Sequence, residues 1–242
     1  MYSKVITDFH THILPGIDDG SKDIEMTKKL LMMEANDGIT NIVFTPHFYA
    51  SRTSFDGFFE KREKSYEKVI EILKDDSVPY NEDNLSLGAE VYFFDGISQA
   101  ANLDKLCIGN TNTVLIEMPF SQWNKSHIEE IESIIDDRNL KVVIAHIERF
   151  VKYQKNKKYF DELISMPLTL QMNAEAFAGS FFDKRHALKF IKDRNNIVLG
   201  SDCHDLSARK PNLAAARDLI IKKAGEECIN TIDKYAVSLL EN

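Results

Sequence analysis

The chain has 242 residues, 43% of them hydrophobic and 28% charged, enough apolar material for one large core, and parallel α/β barrels commonly run ~200–250 residues as a single domain. Its net charge of −8, from 30 lysines and arginines against 38 aspartates and glutamates, leaves no basic stripe to neutralise phosphates and argues against a nucleic-acid partner. Cys107, Cys203 and Cys228 show no paired spacing, which argues against a disulfide framework and for a reducing, cytoplasmic setting, and the opening Met1-Tyr2-Ser3-Lys4 shows no leader, nor is any apolar run long enough to span a bilayer.

Short apolar runs alternate with amphipathic ones along the chain. Val5 to Phe9 reads as a strand, and His10-x-His12 falls where it ends, so period-2 alternation sends both imidazoles to one side. The Leu14-Pro15-Gly16 turn brings Asp18 and Asp19 back toward that strand end. Ser21 reads as the N-cap of a first helix with Ile24, Leu30, Leu31 and Ala35 on its apolar face and Gly38 as its stop. A second strand over 41–45 closes on Pro46-His47. A loop carrying Phe48, Tyr49, Phe55, Phe58 and Phe59 then runs into a helix over about 60–74. The third strand, 85–91, contains Gly88-Ala89-Glu90, and the fourth, 113–117, ends on Glu117. Then come a helix at 127–138, a strand at 141–146 ending on His146, a helix near 157–165 and a strand at 168–173. A helix at 183–193, a strand at 197–201 running into Asp202-Cys203-His204, and a helical tail from 212 to 240 complete the chain.

These seven strands are mostly continuous apolar runs, the pattern of a parallel sheet buried on both faces. A parallel barrel wrapped by helices is the natural closure, and its active site belongs at the C-terminal ends of the strands. His10, His12, His47, Glu90, Glu117, His146, Asp202 and His204 all fall at or just past such an end, and they include five of the seven histidines. His127 and His186 lie in helical segments among charged residues and read as plain surface histidines. One histidine or glutamate at a strand end is ordinarily structural or solvated. So many in one cup would be destabilising unless cations neutralise them, which points to a cluster of about two or three divalent metals.

His10-x-His12, Leu14-Pro15-Gly16-x-Asp18-Asp19-Gly20, Thr45-Pro46-His47, Gly88-Ala89-Glu90, Ile116-Glu117, Ala145-His146-x-x-Arg149 and Ser201-Asp202-x-His204 together resemble the polymerase-and-histidinol-phosphatase (PHP) superfamily. Within it they are most similar to the bacterial manganese-dependent protein-tyrosine phosphatases of capsule and exopolysaccharide loci, from Asp8 to about Arg209. The resemblance implies a distorted (β/α)7 TIM-like barrel of parallel strands with the metal site at its C-terminal mouth. It also implies up to three divalent metals, manganese first, with iron, magnesium or zinc as alternatives. The implied ligands are His10, His12, Asp19, His47, Glu90, Glu117, His146, Asp202 and His204, with Glu90 bridging, and Arg149 and Arg209 resemble the phosphate-binding arginines. The implied partner is a phosphotyrosine protein, such as the tail of an autophosphorylated tyrosine kinase of polysaccharide export.

Chemically, two cations about 3.5–4 Å apart lower the pKa of a shared water, so that metal-bound hydroxide attacks phosphorus with no covalent enzyme intermediate. Arg149 and Arg209 sit on loops at the mouth, where guanidinium forks can grip phosphate oxygens, and Asp18 is the candidate to protonate or orient water. Cys203-x5-Arg209 matches the spacing of cysteine-dependent phosphatases, but the intervening residues include no glycine, and alternation points Cys203 away from Asp202 and His204. The aromatics at 48–59 would rim the mouth and take a phenyl ring, or else pack into the core. The alternatives are a histidinol-phosphatase-like small-molecule phosphoesterase or a nuclease on the same barrel, and a non-catalytic metal-binding scaffold. Oligomerisation is left open.

Overall fold

The computed structural model describes residues 5–241; Met1 to Lys4, on which the expectation of no leader rests, lie outside them. Nine strands follow in order: β1 (Thr7–Thr11), β2 (Asn41–Phe44), β3 (His47–Phe48), β4 (Leu85–Leu87), β5 (Glu90–Tyr92), β6 (Thr113–Glu117), β7 (Lys141–Ile144), β8 (Thr169–Asn173) and β9 (Ile197–Gly200). Eight helices accompany them: α1 (Ile24–Asn36), α2 (Phe55–Ile72), α3 (Lys125–Asp136), α4 (Ile147–Phe150), α5 (Lys158–Ser165), α6 (Phe181–Lys192), α7 (Leu213–Ala224) and α8 (Glu226–Ser238). Every strand pairing is parallel, as the continuous apolar runs require.

The strands form two sheets, β1-β2-β4 and β3-β5-β6-β7-β8-β9, because two of the expected strands are each divided. Pro46 has no N–H to give the ladder and separates β2 from β3. Gly88 separates β4 from β5 where a Cβ would come within 2.9 Å of Ile108. The backbone still spans both gaps, through Gly88 N to Phe44 O at 2.8 Å and Glu90 N to Pro46 O at 3.0 Å. The outer strands β1 and β9 meet beyond their ends, with Asp202 N donating to His10 O at 2.8 Å and His12 N to Cys203 O at 3.0 Å. Gly200 permits that approach, since a Cβ there would lie 2.6 Å from the His10 Cβ.

Several helix boundaries move for local reasons. Asp23, not Ser21, caps α1 by accepting from Met26 N, while Ser21 bonds Thr27. Gly38, with φ +79, follows the helix as expected. Ser54 caps α2 at Gly57 N, so the helix starts at Phe55, earlier than the aromatic run suggested. The tail is two helices, broken at Gly225 with φ +93.

Alternation gives the sheets two different ends. Thr113, Leu115 and Glu117 share one face of β6, and Thr169, Gln171 and Asn173 one face of β8. At the N-terminal end α8 covers them, with Thr113 donating to Leu239 O and Thr169 bonded to the Tyr235 hydroxyl. A layer of Phe9, Val43, Leu115, Val143 and Val198 packs above it together with Ala236 and Leu239 of α8. The polar groups at the C-terminal ends stand beyond this layer.

Candidate metal centre

All nine residues implied as ligands, scattered from 10 to 204 in the sequence, come together at that end. The register pairs His47 with Glu90 and Tyr92 with Glu117, so neighbouring strands deliver their side chains at matched heights. Glu90 is the hub: Oε2 lies 3.3 Å from Nε2 of both His10 and His12 and 2.8 Å from His47 Nδ1, and Oε1 lies 2.9 Å from His146 Nε2. His146 Nε2 also reaches Glu117 at 3.2 Å. Asp19, mostly exposed, faces His47 Nε2 and His204 Nε2 at 3.4 Å each. Asp202 approaches His10 and His12 at 3.8 and 3.5 Å. Three groupings of donor atoms lie within 4.8 Å of one another: His12, Asp19, His47 and His204; His10, His12 and Asp202; and His47, Glu90 and Glu117. His146 is outside all three but bonds two carboxylates of the set.

These residues fit divalent metal. The other ring nitrogen of three histidines is committed as a donor: His10 Nδ1 to Gln171 Oε1 at 3.0 Å, His12 Nδ1 to Asp18 Oδ2 at 2.7 Å, and His204 Nδ1 to the Asp202 carbonyl at 2.9 Å. Each Nε2 is thereby left with its lone pair facing the cup. The His10 and His12 Nε2 atoms are only 3.0 Å apart, an approach that needs a proton or a cation between them. Glu90 Oε2 and His47 Nδ1, both buried and 2.8 Å apart, are not aligned for a hydrogen bond between them. Nitrogen and carboxylate donors with no thiolate suit manganese, iron, magnesium or zinc.

Electrostatics agree. Burial alone would push the Glu90 carboxyl up, yet His10 and His47 hold it well below the usual range. Burial likewise pushes Asp202 up, yet the neighbouring His10, His12 and Arg149 hold it below the usual range. His204 draws Asp19 down to about 2, and carboxylate neighbours carry His146 up to about 10 against the effect of burial. Two of the residues have left-handed backbones, His146 at φ +28 and Asp202 at φ +53, a strain of roughly 1–3 kcal/mol apiece that clusters at functional sites.

Arg149 and Arg209 converge on the same group, each at 2.8 Å from Asp202 through Oδ2 and Oδ1 respectively. Asp18 differs from expectation. Its carboxylate accepts from His12 Nδ1, Gly20 N and His47 N and is held below the usual range by His12 despite burial. Its place is that of the acceptor that positions His12. The cysteine alternative fails on geometry: Cys203 Sγ is buried 3.5 Å from Glu34, burial pushes its thiol well up, and the His204 and Asp205 amides bond the Arg209 carbonyl.

Two residues support the site without having been legible as part of it. Gln171 Oε1 accepts from His10 Nδ1 and from His146 N at 2.6 Å, its Nε2 donates to Asn173, and Asn173 Nδ2 donates to Asp202 at 2.8 Å. Strand β8 carries none of the implied ligands and instead orients those of its neighbours; the polar alternation of Gln171 and Asn173 in an apolar run was the available signal. Of the aromatics expected at the rim, Phe48 and Phe58 are buried and Phe55 packs on Phe48, so these fill the core under α2. Tyr49 remains, 5.2 Å from His47 and 5.4 Å from Tyr92, and Phe120 stacks on His146 at 5.9 Å and 16°. His127 is no plain surface residue, since it completes the α3 capping box and meets Phe93 edge-on, whereas His186 is exposed.

Fold and site together define a parallel α/β protein with a candidate multi-metal centre at the C-terminal ends of its strands. The chain belongs to the family described as "Capsular polysaccharide synthesis, CpsB/CapC", which matches residues 6–238. It is 30% identical to the tyrosine-protein phosphatase CpsB of Streptococcus pneumoniae over 90% of each chain, and 26% identical to the tyrosine-protein phosphatase YwqE of Bacillus subtilis over 97% of this chain and 91% of that one. Among solved structures, a chain from the crystal structures of those two proteins, described as unique metal-dependent tyrosine phosphatases, superposes with a TM-score of 0.82 at 23% identity, covering 98% of this chain and 95% of the other.

Proposed function

We propose that this chain is a metal-dependent protein-tyrosine phosphatase, built on a distorted (β/α)7 barrel and using manganese held by His10, His12, Asp19, His47, Glu90, Glu117, His146, Asp202 and His204. One observation carries it: three groupings of nitrogen and carboxylate donors meet around Glu90, and two arginines reach the same cup through Asp202. The names of the relatives support the phosphotyrosine assignment.

The metals, when bound, supply an activated water and positive charge opposite the reacting phosphate. The chain supplies the rest. Arg149 and Arg209, both half-exposed, exchange Asp202 for phosphate oxygens and hold the charge that grows on them. Tyr49 and Phe120 give the opening an aromatic rim suited to a phenyl ring. Asp18, Gln171 and Asn173 keep His12, His10 and Asp202 oriented. The three cysteines are free, which suits a cytoplasmic setting, and no helix among the described residues is long and apolar enough to cross a membrane. The substrate we infer is a flexible phosphotyrosine tail, such as that of a tyrosine kinase of polysaccharide export.

Steady-state comparison on the manganese-loaded protein tests this. A phosphotyrosine peptide should exceed histidinol phosphate and single-stranded DNA in kcat/KM, and chelation should abolish turnover. Preference for histidinol phosphate or a DNA end would move the chemistry to another phosphoester on the same metal site.

A further inference from the structure

Beside the metal centre, and sharing Asp18, Asp19 and His47 with it, lies a cavity with two cations that belong to neither the ligand set nor the phosphate arginines. This cavity of about 530 Å³ begins at Asp19 and His47, is walled by Tyr49 and Phe58, and carries Arg52 and Lys61 at its exposed side. That volume is in the range of small-ligand sites. The turn that follows Tyr49 is closed by Arg52 N and Thr53 N, both donating to the Tyr49 carbonyl at 2.9 and 3.2 Å. It folds Arg52 back so that its guanidinium rests 4.3 Å above the Tyr49 ring. Stacking on an aromatic face holds a guanidinium in place while leaving its N–H groups free to donate. Lys61 Nζ reaches only the Ile17 carbonyl, at 3.5 Å.

Neither cation has a carboxylate partner among the described residues, although the chain carries 38 acidic residues against 30 basic ones. Two unpaired cations, one of them preorganised, thus flank the path into an acidic site. An overall charge of −8 repels an acidic substrate at long range, so local cations are needed to receive one.

We propose that this cavity is a specificity subsite for an anionic group that flanks the phosphotyrosine on the substrate chain, a carboxylate or a second phosphate, bound by Arg52 and Lys61. The inference rests on the phosphotyrosine reading above and adds which sequences around the tyrosine are preferred. Its contribution is to binding rather than to the chemical step, because the two cations touch neither the metal-ligand cluster nor Asp202.

Three phosphotyrosine peptides differing only beside the tyrosine, with glutamate, with a second phosphotyrosine and with alanine, should be assayed on the manganese-loaded protein. At least one anionic peptide should exceed the alanine peptide in kcat/KM by roughly 10-fold, through KM, and the ratio should shrink as salt rises from about 50 to 500 mM. Which anionic peptide leads tells carboxylate from phosphate. In the Arg52→Glu/Lys61→Glu double variant the ratio should invert in favour of a lysine-flanked peptide, a result that a folding defect cannot produce. Equal kcat/KM for all three peptides, or an anionic preference that survives charge reversal, would overturn the subsite while leaving the phosphatase reading intact. Absence of turnover on every phosphotyrosine peptide would remove the parent reading and the subsite with it.

Discussion

Two pairs of buried carboxyl groups lie on either side of the same strand ends and titrate in opposite directions. Glu90 and Asp202 are held as anions because imidazoles and guanidiniums surround them. Asp8 and Glu34, also fully buried, meet no cation: Asp8 accepts from the Ser201 and His10 amides, and Glu34 from Ser201 Oγ and Cys203 Sγ. Burial pushes Asp8 up to about 6, and burial with the neighbouring Asp8 pushes Glu34 well above the usual range. Burial acts upward on all four, and the cations nearby decide the sign. The first pair is arranged to meet positive charge; the second ties α1 to the ends of β1 and β9 with no cation beside it.

The comparison breaks most severely at its hub. Glu90→Gln should lose metal, by elemental analysis, and roughly 10³-fold or more in kcat/KM, since it removes the carboxylate shared by four histidines. Metal retained at wild-type stoichiometry would remove Glu90 from the ligand set. Arg149→Ala and Arg209→Ala come next. Each should cost about 10²–10³ in kcat/KM with the metal still bound, because these groups meet substrate charge and not the cations; metal lost from either variant would reverse that assignment. Gln171→Ala sharpens the contrast further. With the His10 Nδ1 acceptor gone, metal affinity measured by competition with a chelator should fall roughly 10–100-fold, and unchanged affinity would show that β8 serves packing alone.

The smallest effects belong to the second pair. A carboxyl whose folded pKa is raised binds more protons folded than unfolded, so stability falls as pH climbs above the unfolded values, 3.8 for Asp8 and 4.5 for Glu34. Asp8 adds to that loss up to about pH 6 and Glu34 carries it higher, at up to about 1.4 kcal/mol per pH unit for each titrating group. In thermal melts of the metal-free protein, Glu34→Gln should flatten the decline that begins above pH 4.5; an unaltered slope would place the titration elsewhere. Cys203→Ser, on the same side of the strand, should keep turnover within about 3-fold, since its sulfur faces Glu34 and not the site.

The sequence by itself determined the parallel strands and the candidate ligands waiting at their ends. Continuous apolar runs and period-2 alternation are local properties, and a histidine or glutamate placed just past such a run is carried to the C-terminal edge wherever that strand packs. It could not decide what depends on which strands become neighbours. Gly88 and Pro46 split two strands because of a close contact with Ile108 and a missing N–H, and the resulting register sets His47 level with Glu90. Phe48 and Phe58 went to the core and Phe120 to the mouth, because amphipathic aromatic runs look alike until a helix covers one face. Asp18 became the acceptor for His12 because the turn at 15–16 aims it there, and Arg149 and Arg209, 60 positions apart, meet on one carboxylate. Gln171 bonds His10 across 161 residues of chain, a separation at which no local pattern survives and only the packing of β8 against its neighbours brings donor to acceptor.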